Sequence, residues 1–152
     1  MKKIILKRLI FFIILFTACT FIGVTAEGQS EDKGILVIAN NSVAKKPVNT
    51  DEIRKIFLGE KTRWDDGSRI NFATSNNEEL MENFLKMYLN KTPAQYRTFW
   101  KKKVFTGEGK APKSFRTDKE LIDFVASTEG AIGYIHSGNV VDGVIILTVT
   151  TN

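Results

Sequence analysis

The stretch that decides the fold is Asp51-Glu-Ile-Arg-Lys-Ile-Phe-Leu-Gly59. Ile53, Ile56 and Phe57 recur at three- and four-residue spacing and so share one face of a helix. Thr50 is placed to cap that helix, Asp51 and Glu52 bring negative charge to the first-turn amides, and Gly59 suits a left-handed ending. A tryptophan turn, Thr62-Arg-Trp-Asp-Asp-Gly67, comes next, and far downstream Glu129-Gly-Ala-Ile-Gly-Tyr-Ile135 leads through small residues into a strand.

Upstream, Ile35-Leu-Val-Ile-Ala39 is apolar throughout and too short for a helix, which suits a strand buried on both faces. Asn40, Asn41 and Ser42 end it. Downstream, Arg69 to Ala73 reads as a second strand, and Leu80, Met81, Phe84, Leu85 and Tyr88 predict a helix over 77–89. Thr92-Pro-Ala-Gln95 is a capping box with proline at the first helical position, opening a helix that carries Tyr96, Phe99 and Trp100. Thr117-Asp-Lys-Glu120 is a second capping box, before Leu121, Ile122 and Val125. Ala131 to His136 and Gly143 to Val149 predict two further strands. Helices interleaved with buried-type strands imply an α/β fold, a layered sheet with flanking helices, over residues 34–150.

Residues 1–26 read as a signal peptide. Lys2, Lys3, Lys7 and Arg8 precede an apolar run that ends in Val24-Thr25-Ala26, and the run is shorter than the roughly 20 residues a spanning helix needs. The expected location is therefore exported or periplasmic. Phe16-Thr17-Ala18-Cys19 offers the alternative of cleavage before a lipidated Cys19. Residues 27–33 are polar and read as a flexible leader. Removing residues 1–26 lowers the formal charge from +5 to +1, so most of the basic balance lies in the targeting segment. The remaining 126 residues suit one domain, folded without a disulfide.

Catalytic arrangements fit poorly. Beyond Cys19 the chain has His136 as its one histidine and no cysteine, so neither a metal site nor a cofactor is expected. Ser42, Ser75 and Ser114 lack a nucleophile-elbow setting. Gly107-Glu-Gly-Lys110 has Val104 and Ala111 where a phosphate loop needs glycine and a hydroxyl. Asp65 and Asp66, beside Gly67, fit a turn better than acid–base chemistry.

Two binding surfaces remain. From Arg97 to Lys119, eight basic residues face only Glu108 and Asp118, a local charge of +6. Arg97, Lys101, Lys102, Lys103, Lys110 and Lys113 form a candidate partner surface, for a membrane protein or a second lobe; the alternative is a solvated face. Nucleic acid does not fit an exported chain without a reader motif. Trp100 and Phe105 are expected in the core, continuing the face begun by Tyr96. The second surface is the strand-to-helix junction, where Thr74, Ser75, Asn76 and Asn77 are candidate contacts for a small anion; helix capping explains the same residues.

From Ile35 to Val144 the chain resembles the phosphate-binding proteins of ABC transporters, especially their short single-domain relatives. The resemblance rests on Ile35-Leu-Val-Ile-Ala39, Ile53-Arg-Lys-Ile-Phe-Leu-Gly59, Trp64 with Gly67, Phe84, Tyr96 to Trp100, Val104-Phe-Thr-Gly107 and Gly130-Ala-Ile-Gly-Tyr134. It implies a type II periplasmic-binding-protein fold, in which two α/β lobes close about a ligand, and a non-enzymatic solute-binding function. Full-length relatives carry a preceding glycine-rich phosphate loop, so the expectation here is one lobe or a reduced clamshell. The family enters the helix corresponding to 77–89 through an arginine and a Ser-Gly-Thr motif. This chain has neither, and Glu78 and Glu79 in the first turn would repel phosphate, which implies weak anion binding. The alternative is an envelope adaptor or sensor that contacts a protein through the basic surface.

Overall fold

The computed structural model describes residues 34–139 and 141–151. The expected signal peptide, the leader and Cys19 lie outside the described residues. In chain order the elements are β1 (Ile35–Asn40), β2 (Val48–Asn49), α1 (Thr50–Phe57), β3 (Asn71–Ser75), α2 (Glu78–Leu89), α3 (Pro93–Phe105), β4 (Lys113–Phe115), α4 (Asp118–Ser127), β5 (Ala131–His136), β6 (Val144–Ile146) and β7 (Val149–Thr150). Five strands form one mixed sheet in the order β4-β3-β5-β1-β6, while β2 and β7 pair separately. β1 is antiparallel to β5 and β6, with Val37 opposite Tyr134 and Ala39 opposite Ile145. β3 is parallel to β5 and β4.

Successive strand residues point to opposite faces, and the core divides accordingly. Val37, Ala39, Ile132 and Tyr134 face one cluster, packed with Ile53, Ile56 and Phe57 of α1, Phe84 of α2 and Trp100 of α3. Ile38, Ala73, Ala131 and Ile135 face the other, against Leu121 and Val125 of α4. This is why the Ile35–Ala39 run is apolar throughout. A Cβ on Gly133 would lie 2.5 Å from Leu121 Cδ2, so the glycine lets α4 settle closely on β5.

Local chemistry sets the helix ends. The capping boxes at Thr92 and Thr117 both form. The first helix differs from expectation: Asn49, not Thr50, is its N-cap, because Asn49 is extended and its Oδ1 accepts from Glu52 N at 2.8 Å. Thr50 is already helical, and its hydroxyl donates to Thr150 O at 3.1 Å. The second strand runs two residues later than expected, and the expected 143–149 strand divides into β6 and β7.

The tryptophan turn ties the layers together. Trp64 Nε1 donates to Gly130 O at 3.0 Å, while Gly130 N donates to Ser42 Oγ at 2.9 Å. Asp66 accepts from both Ser68 N and Ser68 Oγ, and Asp65 pairs with Lys46 and Lys61. Both aspartates thus serve the turn and its flank. His136 ends β5, with its ring Nδ1 2.8 Å from Asp118 Oδ2 and its backbone N donating to the same oxygen.

Candidate binding site

Because β3 and β4 run parallel, their carboxyl ends lie together, and open α/β sheets usually take ligands at such an edge. The chain leaves β3 through Thr74-Ser75-Asn76-Asn77 and enters α2. Thr74 and Ser75 are both 2% exposed, whereas Asn76 and Asn77 face solvent. Thr74 Oγ1 is 2.8 Å from Ser114 Oγ across the β3–β4 pair.

The corner's amides are engaged within the protein. Ser75 N donates to Tyr134 Oη at 3.3 Å, Asn76 N to Phe115 O at 2.7 Å, and Asn77 N to Ser75 Oγ at 3.0 Å. Asn77 caps α2, its Oδ1 accepting from Leu80 N at 3.1 Å. Glu78 adds a carboxylate at the first turn and pairs with Arg97. An incoming oxyanion would have to displace these contacts beside an acidic first turn.

Beside this corner lies an open cavity of about 510 Å³. Met81 of α2 and Tyr96, Trp100, Val104 and Phe105 of α3 supply its apolar walls. Thr74, Asn76 and Ser114 border it from the sheet edge, Ala111 and Pro112 from the segment before β4, and Arg97 and Lys101 from α3. None of its lining residues is acidic. A second, open cleft of about 700 Å³ adjoins the other side of β4 and contains Glu120 and Asp123. Tyr96 Oη donates to Phe57 O at 2.8 Å, and burial pushes its phenol above the ordinary range, so it stays a neutral donor.

The basic residues do not share one surface role. Lys103 Nζ donates to Leu58 O at 2.9 Å and sits 5.6 Å from the Trp100 ring centroid, serving the C-terminal end of α1. Lys113 Nζ lies 4.7 Å from the Phe124 ring centroid. Arg97 and Lys101 border the cavity, and Lys102 and Lys110 are exposed. Phe105 departs from the expected core: it is 93% exposed, while Trp100 is 5% exposed. Tyr96 and Trp100 are four residues apart and share a helix face, but Phe105 follows Trp100 by five and is turned about 140° away. Sequence reasoning missed Ser114, Val104 and Pro112 as members of a site, since only the tertiary placement of α3 against β4 unites them.

Among the described residues no group of His, Cys, Asp and Glu side chains could hold a metal ion, and no helix is long and apolar enough to cross a membrane.

No protein-family model and no curated protein matches the chain. Solved structures do. PstS from Borrelia burgdorferi aligns with a TM-score of 0.60 at 22% identity, over 76% of this chain and 46% of that one. A phosphate ABC transporter substrate-binding protein from Clostridium perfringens, solved with bound phosphate, aligns at 0.61 and 19% identity, over 76% and 44% respectively. A phosphate-binding protein from Stenotrophomonas maltophilia aligns at 0.56 and 12%, over 77% and 39%. The chain spans less than half the length of these structures. Their likeness establishes the fold, a mixed sheet with flanking helices of the kind found in a lobe of phosphate-binding proteins.

Proposed function

We propose that this chain is an exported, non-enzymatic solute-binding module related to the phosphate-binding components of ABC transporters, with a phosphate motif reduced to weak anion contact at Thr74, Ser75, Asn76 and Asn77. The observation that carries this reading is the engagement of the corner's amides by Tyr134, Phe115 and Ser75, with Asn77 capping α2. Glu78, paired with Arg97, adds a carboxylate to the first turn of α2 beside these amides. An amide chemical-shift titration with orthophosphate and sulfate tests it. Shifts confined to 74–77 and saturating in the millimolar range are expected. A spectrum unchanged at such concentrations would remove the anion contact from the account. Export is checked by the mass of the secreted protein: loss of residues 1–26 is expected, and a lipid-modified Cys19 marks the anchored alternative.

A second reading is favoured by one observation. Phe105 is 93% exposed next to the lysine-rich end of α3, as an anchor for a protein partner would be. In that reading the chain is an envelope adaptor. Reversing charge at Lys101 and Lys102 should then remove a co-purifying partner, and unchanged partners would count against it.

A further inference from the structure

We propose that the cavity between α3 and β4 binds an organic anion with an apolar body, an aromatic or branched aliphatic carboxylate, in preference to a bare inorganic oxyanion. The inference rests on the reading of this sheet edge as a solute site, and it names the class of solute. Size comes first: about 510 Å³ falls within the roughly 300–1,000 Å³ of small-molecule sites and exceeds what a tetrahedral oxyanion needs. Met81, Trp100, Val104 and Phe105 give walls that reward burial of hydrocarbon and offer nothing to a hydrated ion. Val104 is 46% exposed and Phe105 93%, so the rim keeps apolar surface that a ligand's body would cover.

The polar groups converge on one charge sign. Arg97 and Lys101 stand one helical turn apart on α3 and both border the cavity. Arg97 is shared with Glu78, whereas Lys101 has no ion pair among the described residues, so Lys101 is the principal cation for a carboxylate. Opposite them, Thr74 and Ser114 form a hydroxyl pair 2.8 Å apart, in which one O–H is engaged within the pair. Thr74 Oγ1 also lies 3.4 Å from Lys113 O as a donor, so the pair supplies a polar border while Lys101 carries the recognition of charge. Apolar walls with cations and hydroxyls bordering them match a carboxylate carrying a hydrocarbon body, and they lack the dense cradle of free donors that a multiply charged oxyanion needs.

The test is calorimetry of the purified protein with four probes: 4-phenylbutyrate, the neutral 4-phenylbutanol, acetate and orthophosphate, with intrinsic fluorescence of Trp64 and Trp100 as a second readout. 4-Phenylbutyrate is expected to bind at least about ten-fold more tightly than each of the others. Lys101→Gln should weaken 4-phenylbutyrate by about ten-fold and leave 4-phenylbutanol unchanged, and Phe105→Ser should weaken both. Both side chains are exposed, and circular dichroism confirms that the variants fold. Equal binding of acid and alcohol, or no binding of 4-phenylbutyrate, overturns the proposal. If 4-phenylbutyrate binds with Lys101 dependence while orthophosphate leaves the 74–77 amides unmoved, this inference stands and the weak-anion corner falls. If orthophosphate moves those amides and 4-phenylbutyrate does not bind, the corner stands and this inference falls.

Discussion

Phe84 of α2 and Tyr134 of β5 stack face to face, with ring centroids 3.8 Å apart and planes inclined by 5°. The same Tyr134 hydroxyl accepts the Ser75 amide at the corner, so one side chain joins the core to the candidate site. Phe57 closes the cluster, 4.6 Å from Phe84 and 5.8 Å from Tyr134. The two ends of Tyr134 can be separated by mutation. Tyr134→Phe keeps the stack and removes the acceptor, leaving Ser75 N buried without its partner, at a cost of about 1–3 kcal/mol. Phe84→Ala opens a cavity and costs about 3–5 kcal/mol. Urea unfolding checks both, and equal losses would contradict this division.

Gly130 is the second point of high sensitivity. Its φ is +67°, and a Cβ there would lie 2.1 Å from Arg69 O, in the hub that also receives Trp64 Nε1. Gly130→Ala combines left-handed strain with a backbone clash, so a loss above about 3 kcal/mol is expected. Gly67 also has positive φ, +87°, but open space around it, and Gly67→Ala should cost only about 1–2 kcal/mol. Thermal unfolding of the pair checks the order; equal losses would refute the clash argument.

The surface pair of lysines around Asp65 predicts an acid dependence. Hydrogen bonds from Lys46 and then Lys61 hold the Asp65 carboxyl at about 2, below its ordinary 3.8. A carboxylate depressed in the folded state contributes stability above its unfolded value and loses it as pH falls through the folded one. Asp65 therefore contributes to the decline between pH 3.8 and about 2. Asp65→Asn should make that part of a melting-temperature profile shallower, with the difference reduced by salt because the group is exposed. Parallel profiles would exclude the effect.

Sequence patterns exposed what is locally determined. Thr92 with Gln95 and Thr117 with Glu120 fix their helix starts within four residues, and the apolar run of β1 reports burial on both faces before any partner is known. Long-range pairing set what the patterns misplaced. β3 occupies Asn71–Ser75 because Thr74 and Ser75 pair with Ser114 and Phe115 of β4, a three-residue strand bearing Lys113 that has no apolar signature of its own. Phe105 was legible and misread: five residues past Trp100, it stands about 140° off the face begun by Tyr96, and it is exposed. The corner residues could be named from the sequence, but the engagement of their amides depends on Tyr134 and Phe115, whose bonds to Ser75 and Asn76 span 59 and 39 residues.

Titration calorimetry of the purified protein with orthophosphate at low ionic strength tests the central claim most directly. With its corner amides engaged and Glu78 at the first turn of α2, the protein should bind phosphate no more tightly than the millimolar range. A dissociation constant below micromolar would mean that the corner opens to grip the ion, and would contradict the account.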